Sequence, residues 1–337
     1  MNEQQPTSAV PSVALIGHGY WGKNLARNLH TLGALAAVCD PSEEMQEVVR
    51  ERYPEVVVTG DVEEIWRDRS IKGVVIATPA ESHHLLSSQA LDAGKDVFVE
   101  KPLALNVADG EDLVRRANHK DAILMVGHLM EYHPAIIRLT DMVHQGDLGK
   151  IRYIYSNRLN WGKVRREENI LWSFAPHDIA IILKLTGEMP DMVTARGAGY
   201  VQPHVADVTV THLSFPSGVR SHIFVSWLHP YKEQRLVVVG DQKVAVFEDS
   251  MTDGKLRVYP HSIDWEGEVA VARKADAEVV SIDETEPLQL ECQSFLDAIN
   301  TRVPPRTHGE SGLRVLQVLS RCQESLVSSG GEARTPA

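Results

Sequence analysis

The sequence predicts an α/β protein of two domains: a doubly wound parallel sheet, then a second domain built on a mostly antiparallel sheet. Three observations predict it. Up to about residue 130, short apolar runs alternate with helix-periodic segments, the rhythm of a parallel sheet with helices on both faces. Beyond that point strand-like runs follow one another with few helices between them, which suits antiparallel pairing. The length of 337 residues fits about two domains.

The elements justify this in order. Val13–Ile16 is a short branched apolar run that suits a buried parallel strand. Gly17-His18-Gly19-Tyr20-Trp21-Gly22 follows, a G-x-G-x-x-G match. Leu25, Leu29 and Leu32 then recur at helical spacing, and Gly33 ends the helix. A second strand, Leu35–Cys39, ends at Asp40. Gly17 permits the tight turn, Gly19 lets backbone approach a pyrophosphate, and Gly22 lets helix pack closely on strand. The helix N-terminus offers N–H groups to phosphates. Asp40 stands where a carboxylate accepts hydrogen bonds from the adenosine ribose. His18, Tyr20 and Trp21 count as cofactor-binding with the glycines, His18 through its backbone. A carboxylate at 40 repels a 2′-phosphate, and Pro41-Ser42 brings no arginine, so NAD is expected over NADP.

A helix is expected over 42–53 with Ser42 as cap, then a strand at 73–77 and a helix over 81–93 ended by Gly94. A strand at 96–99, a helix over 107–118 and a strand at 122–126 complete the first domain. Ligands of such sheets bind at the carboxyl ends of strands. That selects Thr78-Pro79, Glu100-Lys101-Pro102 and Gly127-His128. A lysine at the cleft can take or relay a hydroxyl proton, and Pro102 restricts the backbone of Lys101. On position alone, a surface ion pair explains Lys101 equally well.

In order and spacing, Gly17-x-Gly19-x-x-Gly22, Ala77-Thr78-Pro79 with His83, and Glu100-Lys101-Pro102 resemble the glucose–fructose oxidoreductase/inositol dehydrogenase/rhizopine catabolism (Gfo/Idh/MocA) family. The resemblance implies a Rossmann doubly wound domain, here 13–130, and an α/β substrate and oligomerisation domain with a large open, mostly antiparallel sheet, here 131–327; the polar stretch 1–12 reads as a disordered lead-in and 328–337 as a tail. It implies NAD or NADP and redox chemistry on a sugar or cyclitol hydroxyl. Thr78, Pro79, His83, Glu100, Lys101, His128 and Trp172 join the cofactor side.

In the second half, strands are expected at 151–158, 192–197, 205–215, 219–227, 236–239 and 243–248. Helices are expected at 134–145, 177–185, 288–300 and 313–325. Ser173-Phe174-Ala175-Pro176-His177-Asp178-Ile179 resembles the family segment Asp-x-Gly-x-His-x-x-Asp, with Ser173 and Ala180 in place of its two aspartates. A histidine at a helix start is ordinarily a cap. With Lys101 and the family register, His177 is expected to share the proton transfer. Arg158 to Arg166 carries four cations in nine residues, with Asn160 and Trp161 among them. Arginines clamp phosphates and an aromatic ring stacks on a base or sugar; a solvated loop neutralised by Glu167 and Glu168 fits the residues as well.

With Tyr132-His133-Pro134 added, the resemblance narrows to the branch acting on nucleotide sugars. It implies NAD-dependent oxidation of the 3-hydroxyl of UDP-N-acetylglucosamine or its uronic acid, upstream of a pyridoxal-phosphate aminotransferase in lipopolysaccharide biosynthesis. Lys101, Arg158, Asn160, Trp161, Arg165, Arg166, Ser173 and His177 would contact the UDP-sugar, with Lys101 and His177 catalytic. A homodimer or homotetramer is expected. A free-sugar or inositol dehydrogenase, a non-catalytic NAD sensor and an NAD-dependent glycosidase are the alternatives.

The composition narrows the partners. With 34 Lys+Arg against 46 Asp+Glu the net charge is −12, which argues against nucleic acid and anionic membrane as partners. Cys39, Cys292 and Cys322 lie far apart, so neither a disulfide framework nor a CxxC metal site is expected, and a reducing cytoplasm is. The histidines show no ligand spacing, so no metal is expected, and no phosphate-loop NTPase motif is present.

Overall fold

The computed structural model describes residues 10–162, 164–166 and 168–330. Residues 1–9 of the expected lead-in, Lys163 and Glu167 of the basic segment, and 331–337 of the expected tail lie outside the described residues. The chain forms two compact units.

The first unit comprises the described residues up to Leu129 together with Glu286–Leu313. Its strands are β1 (Val13–Ile16), β2 (Leu35–Cys39), β3 (Val57–Thr59), β4 (Gly73–Ile76), β5 (Asp96–Val99) and β6 (Leu124–Val126). Its helices are α1 (Gly22–Thr31), α2 (Glu43–Arg52), α3 (Val62–Arg67), α4 (His83–Asp92) and α5 (Val107–Lys120). The sheet order is β3-β2-β1-β4-β5-β6, and every pairing is parallel. β1 and β4 are neighbours, so the winding reverses between them. That is the crevice where such sheets bind ligands. The strands β1, β4 and β5 are buried along their whole length, as their continuous apolar runs require. Ser42 caps α2 and Gly33 and Gly94 take positive φ after α1 and α4, all as expected.

The second unit comprises residues from Met130 to Thr285 and the described chain from Arg314. It contains α6 (Pro134–Gln145), β7 (Ile151–Trp161), α7 (Ile170–Thr186), β8 (Met192–Ala198), β9 (Val208–Ser214), β10 (Arg220–Ser226), β11 (Leu228–Gly240), β12 (Val244–Glu248) and β13 (Leu256–Tyr259). A hairpin of β14 (Ser262–Glu266) and β15 (Val269–Arg273) precedes the short β16 (Glu278–Val279). The eight-stranded sheet runs β16-β13-β12-β11-β7-β10-β9-β8. Only its β7–β10 pairing is parallel. Along β10, Ser221, Ile223 and Val225 are buried, with Trp227 following, while His222 and Phe224 on the other face stay half-buried. α7 packs on β7, β9 and β10.

The remaining helices are α8 (Pro287–Thr301) and α9 (Gly309–Ser328). The continuous second domain expected over 131–327 is corrected here, because α8 packs with the first unit. Phe295 meets Phe98 edge-on at 5.8 Å between ring centroids. A Cβ at Gly73 would stand 2.8 Å from Ile299 Cδ1 and 2.9 Å from Phe295 Cζ. Arg302 forks onto Asp96, and Arg27 onto Glu286. All three cysteines are free and buried. No described helix is long and apolar enough to cross a membrane.

Candidate active site

The glycine-rich loop lies at the switch point. Gly17 takes φ +90°, and a Cβ there would stand 2.9 Å from the Ala77 carbonyl oxygen, so the loops after β1 and β4 touch. A Cβ at Gly22 would stand 2.1 Å from the Gly17 carbonyl oxygen. Gly19 is different: a Cβ there meets nothing within 4 Å. Protein packing requires glycine at 17 and 22. At 19 the missing side chain leaves open space, as the approach of a diphosphate requires. Trp21, at the N-cap of α1, makes no capping hydrogen bond, and the first turn holds no acid. The Lys23 N–H meets the Gly19 carbonyl at 3.3 Å and the Asn24 N–H the Trp21 carbonyl at 2.9 Å, and the helix start keeps its partial positive charge for an anion.

Asp40 accepts hydrogen bonds from the N–H of His18 at 2.7 Å and of Ser42 at 2.9 Å. The backbone of His18 was expected to bind the cofactor, but its N–H is engaged by Asp40. The His18 ring is buried, neither ring nitrogen has a hydrogen bond among the described residues, and burial lowers its pKa. Buried polar atoms ordinarily find partners, so an open pair of ring nitrogens beside the loop marks a place for a polar ligand. Tyr20 is 86% exposed, with Lys23 over its ring.

Three strand ends converge on Glu100. Trp21 Nε1–H donates to its Oε1 at 2.5 Å, and the Lys101 N–H donates to its Oε2 at 3.2 Å. A Cβ at Gly127 would stand 2.8 Å from Oε2, so glycine after β6 makes room for the carboxylate. Burial pushes the Glu100 carboxyl up to about 7 against the opposing pull of Trp21 and Lys101. His128 is buried with neither ring nitrogen hydrogen-bonded among the described residues. Burial, and next the Lys101 charge, push it down to about 3, so it is neutral at physiological pH. The Lys101–Pro102 bond is cis.

His83 is 1% exposed, which corrects its assignment to the cofactor side. Nδ1 lies 2.8 Å from the Pro102 carbonyl and Nε2 3.0 Å from that of Thr78. It is a strut between the segments after β4 and β5, and burial lowers its pKa. Thr78 Oγ1 bonds Ser82 Oγ at 2.7 Å beside the exposed Pro79.

The second unit holds the other expected residues. His177 does not start a helix: α7 begins at Ile170, capped by Asn169, whose side chain accepts from the Trp172 N–H. The helix continues through Pro176, and His177 sits half-buried in its third turn. Ser173 is buried one turn before it. Trp172 is 2% exposed, and its Nε1–H donates to Gln323 Oε1 at 2.9 Å. It is a core residue, so its assignment to the cofactor is corrected.

The basic segment is only partly a loop. Arg158, Asn160 and Trp161 belong to β7. Arg158 is buried, and its Nε and Nη2 bind the two oxygens of Asp178 at 2.8 and 3.3 Å. Ser156 Oγ donates to the same carboxylate at 2.5 Å. Gln234, with its amide turned to satisfy both ends, accepts from Arg158 Nη1 and donates to Asp249. Asp249 is held well below the usual carboxylate range by His133 and Lys255. Buried, and engaged at Nε, Nη1 and Nη2, Arg158 is a structural cation of the second unit, which corrects its place among the substrate contacts. Arg165 pairs with Glu168 at 2.8 Å, Arg166 is exposed, and Trp161 is 71% exposed.

Residues 12–128 match a family model described as an oxidoreductase family with an NAD-binding Rossmann fold, and residues 136–246 match the GFO/IDH/MocA C-terminal domain. The chain belongs to the Gfo/Idh/MocA oxidoreductase family. The N-terminal domain of this family member is accordingly an NAD-binding Rossmann domain. A 2,7-anhydro-N-acetylneuraminate hydratase of Mediterraneibacter gnavus is 29% identical over 195 residues, so the match spans about half of that relative (51%) and 55% of this chain. A UDP-N-acetylglucosamine 3-dehydrogenase of Acidithiobacillus ferrooxidans is 26% identical over 304 residues, 90% of this chain and 93% of the relative. A solved structure of that dehydrogenase superposes with a TM-score of 0.82 over 94% of this chain and 97% of its own, at 24% identity. A scyllo-inositol 2-dehydrogenase of Bacillus subtilis is 26% identical over 71% of this chain and 73% of the relative.

Sequence reasoning missed the residues that engage the expected ones. Asp178, Gln234 and Gln323 carry no motif, and Glu100 meets Trp21 from 79 positions away. The one available signal was the position of Glu100 directly after a buried strand.

Proposed function

We propose that the protein oxidises the 3-hydroxyl of UDP-N-acetylglucosamine, or of its uronic acid, with NAD as acceptor, and passes the 3-keto sugar to an aminotransferase. One observation carries this reading. The relative named UDP-N-acetylglucosamine 3-dehydrogenase aligns along nine-tenths of both chains, whereas the two hydratase relatives align along about half and about seven-tenths.

The chain's own residues divide the work as follows. The open space at Gly19 and the uncapped start of α1 hold the diphosphate of the dinucleotide. Asp40 receives the ribose hydroxyls. NAD, when bound, supplies the hydride acceptor. Lys101 takes the substrate hydroxyl proton, and His177 assists it. Neutral His128 keeps a second positive charge away from Lys101. Trp161 offers an exposed ring to base or sugar, with Asn160, Arg165, Arg166 and Ser173 around the nucleotide sugar.

A panel of UDP-sugars read by NADH absorbance, with an aminotransferase to pull the equilibrium, tests the proposal. Turnover of the UDP-sugars, lost by at least about a hundredfold in Lys101→Ala, is expected. Near-normal turnover in that variant would sink the assignment of Lys101. A free-polyol dehydrogenase is the second reading. The engagement of Arg158 by Asp178 favours it, because an uncharged substrate needs no cation. Activity on inositol with no thermal protection by UDP-sugars would decide for it.

A homodimer or homotetramer is part of the proposal. Tyr153, Tyr155, His222 and Phe224 share the sheet face opposite Ser156 and Ile223 and remain half-exposed. Light scattering of the purified protein tests it.

A further inference from the structure

The G-x-G-x-x-G pattern leaves its last variable position open, yet here Trp21 reaches across the sheet end to Glu100. One carboxylate thus receives the indole N–H of the dinucleotide loop on one oxygen and the backbone N–H of Lys101 on the other. Gly127 closes the third side, where any larger residue would press on the carboxylate. Trp21 stands two residues after Gly19, the loop position with open space where a Cβ would be. A shift of the loop moves Trp21, and a shift of Trp21 pulls the carboxylate on which the lysine segment rests.

We propose that Trp21 is a positioning residue that couples dinucleotide binding to the placement of Lys101 through Glu100. It rests on the proposed role of Lys101, and on the NAD-binding domain of the family. The indole does not touch the reacting atoms. Its hydrogen bond holds the lysine segment in the arrangement that the occupied loop requires.

A double-mutant cycle on NADH affinity, read by quenching of protein fluorescence and enhancement of NADH emission, tests the coupling. Trp21→Phe keeps the ring and removes the N–H; Glu100→Ala removes the acceptor. Each single variant is expected to weaken NADH binding about fivefold, and the double variant also about fivefold, since both remove the same bond. Glu100→Gln keeps a carbonyl for the indole but turns an amide NH2 toward the Lys101 N–H, so its NADH affinity is expected to fall less than that of Glu100→Ala, by about twofold to threefold. In turnover, Trp21→Phe is expected to lower kcat with the sugar KM unchanged. Thermal midpoints taken alongside separate this from a folding defect. Effects that multiply to about 25-fold in the double variant, or a Trp21→Phe variant that binds NADH as tightly as the parent, overturn the inference. A Lys101→Ala enzyme with normal turnover sinks the catalytic reading instead, and the cycle distinguishes the two because it is read without turnover.

Discussion

The end of the parallel sheet and the Arg158 cluster beneath α7 treat their polar side chains in opposite ways. At its strand ends the first unit leaves buried ring nitrogens on His18 and His128 without hydrogen bonds among the described residues, and open space at Gly19. Around Arg158 the second unit meets each polar group with a partner: Arg158 with Asp178, Asp178 with Ser156, Gln234 between Arg158 and Asp249. At the carboxyl ends of parallel strands, unmet polar capacity marks where a ligand completes the fold. A saturated network holds elements together. The residues that look most ligand-like in sequence, a run of arginines, are partly of the second kind.

The comparison breaks most sharply at Arg158. Removing one partner of a buried ion pair leaves the other charge uncompensated, at a cost of about 3–5 kcal/mol. Arg158→Ala is expected to lower the thermal midpoint by about 10 °C. Arg165→Ala removes a half-exposed pair worth about 0.2–1 kcal/mol and is expected to leave the midpoint within about 2 °C. Calorimetry on both variants checks this. Equal midpoints for the two would mean that the α7 network is not what the geometry makes it.

The glycine loop gives the second contrast. Gly22→Ala drives a methyl to 2.1 Å from the Gly17 carbonyl, and backbone must move. It is expected to destabilise the first unit by about 1–3 kcal/mol. Gly19→Ala meets no protein atom, so the fold should melt as the parent does while NADH affinity falls at least about tenfold. A Gly19→Ala protein that melts early, or that binds NADH unchanged, would contradict the assignment of that space to the dinucleotide.

These contrasts also show what was legible in the sequence. The parallel sheet was, because strands buried on both faces must be apolar throughout, and Val13–Ile16 and Gly73–Ile76 are. β3 was not: it is three residues long at the sheet edge, and Val57 is 62% exposed, so no buried run announces it. The first half of β11, with Pro230 and charged residues, and the exposed β14–β15 hairpin were hidden for the same reason. The helix expected over 177–185 is the C-terminal part of α7, which begins at Ile170 and carries Pro176 inside; buried residues along most of its length blur the one-sided pattern. Of the site, the glycine loop and the Glu100-Lys101-Pro102 segment were legible as local patterns. The pairings that engage Arg158 and Trp172 join distant positions and leave no local trace.

Glu100 carries a pH test of the first region. Its carboxyl is raised from 4.5 to about 7 by burial, so the fold binds that proton more tightly than the unfolded chain does. The stability it contributes is complete below pH 4.5 and is lost as pH rises through 7. Glu100→Gln, which cannot ionise, is expected to gain a few degrees over the parent at pH 8 and to show no such gain at pH 4.5. Melting curves across that window check it. A difference between the two proteins that stays constant with pH would mean that Glu100 does not titrate there.

Trp161 is expected to give the smallest effect on the fold, and it sharpens the comparison from the other side. It ends β7 three residues after Arg158, yet it is 71% exposed where Arg158 is buried. Exposed substitutions away from caps and pairs stay within about 0.5 kcal/mol, so Trp161→Ala should melt with the parent. If its ring stacks on the base or sugar of a nucleotide sugar, the same variant loses stacking worth roughly 1–3 kcal/mol, and the UDP-sugar KM rises at least about fivefold. The kcat should hold, because the ring is not among the proton-transfer groups. An unchanged KM for every UDP-sugar would remove Trp161 from the substrate site and, with Arg158 already engaged by Asp178, would turn the basic segment from a nucleotide site into the edge of a folded sheet.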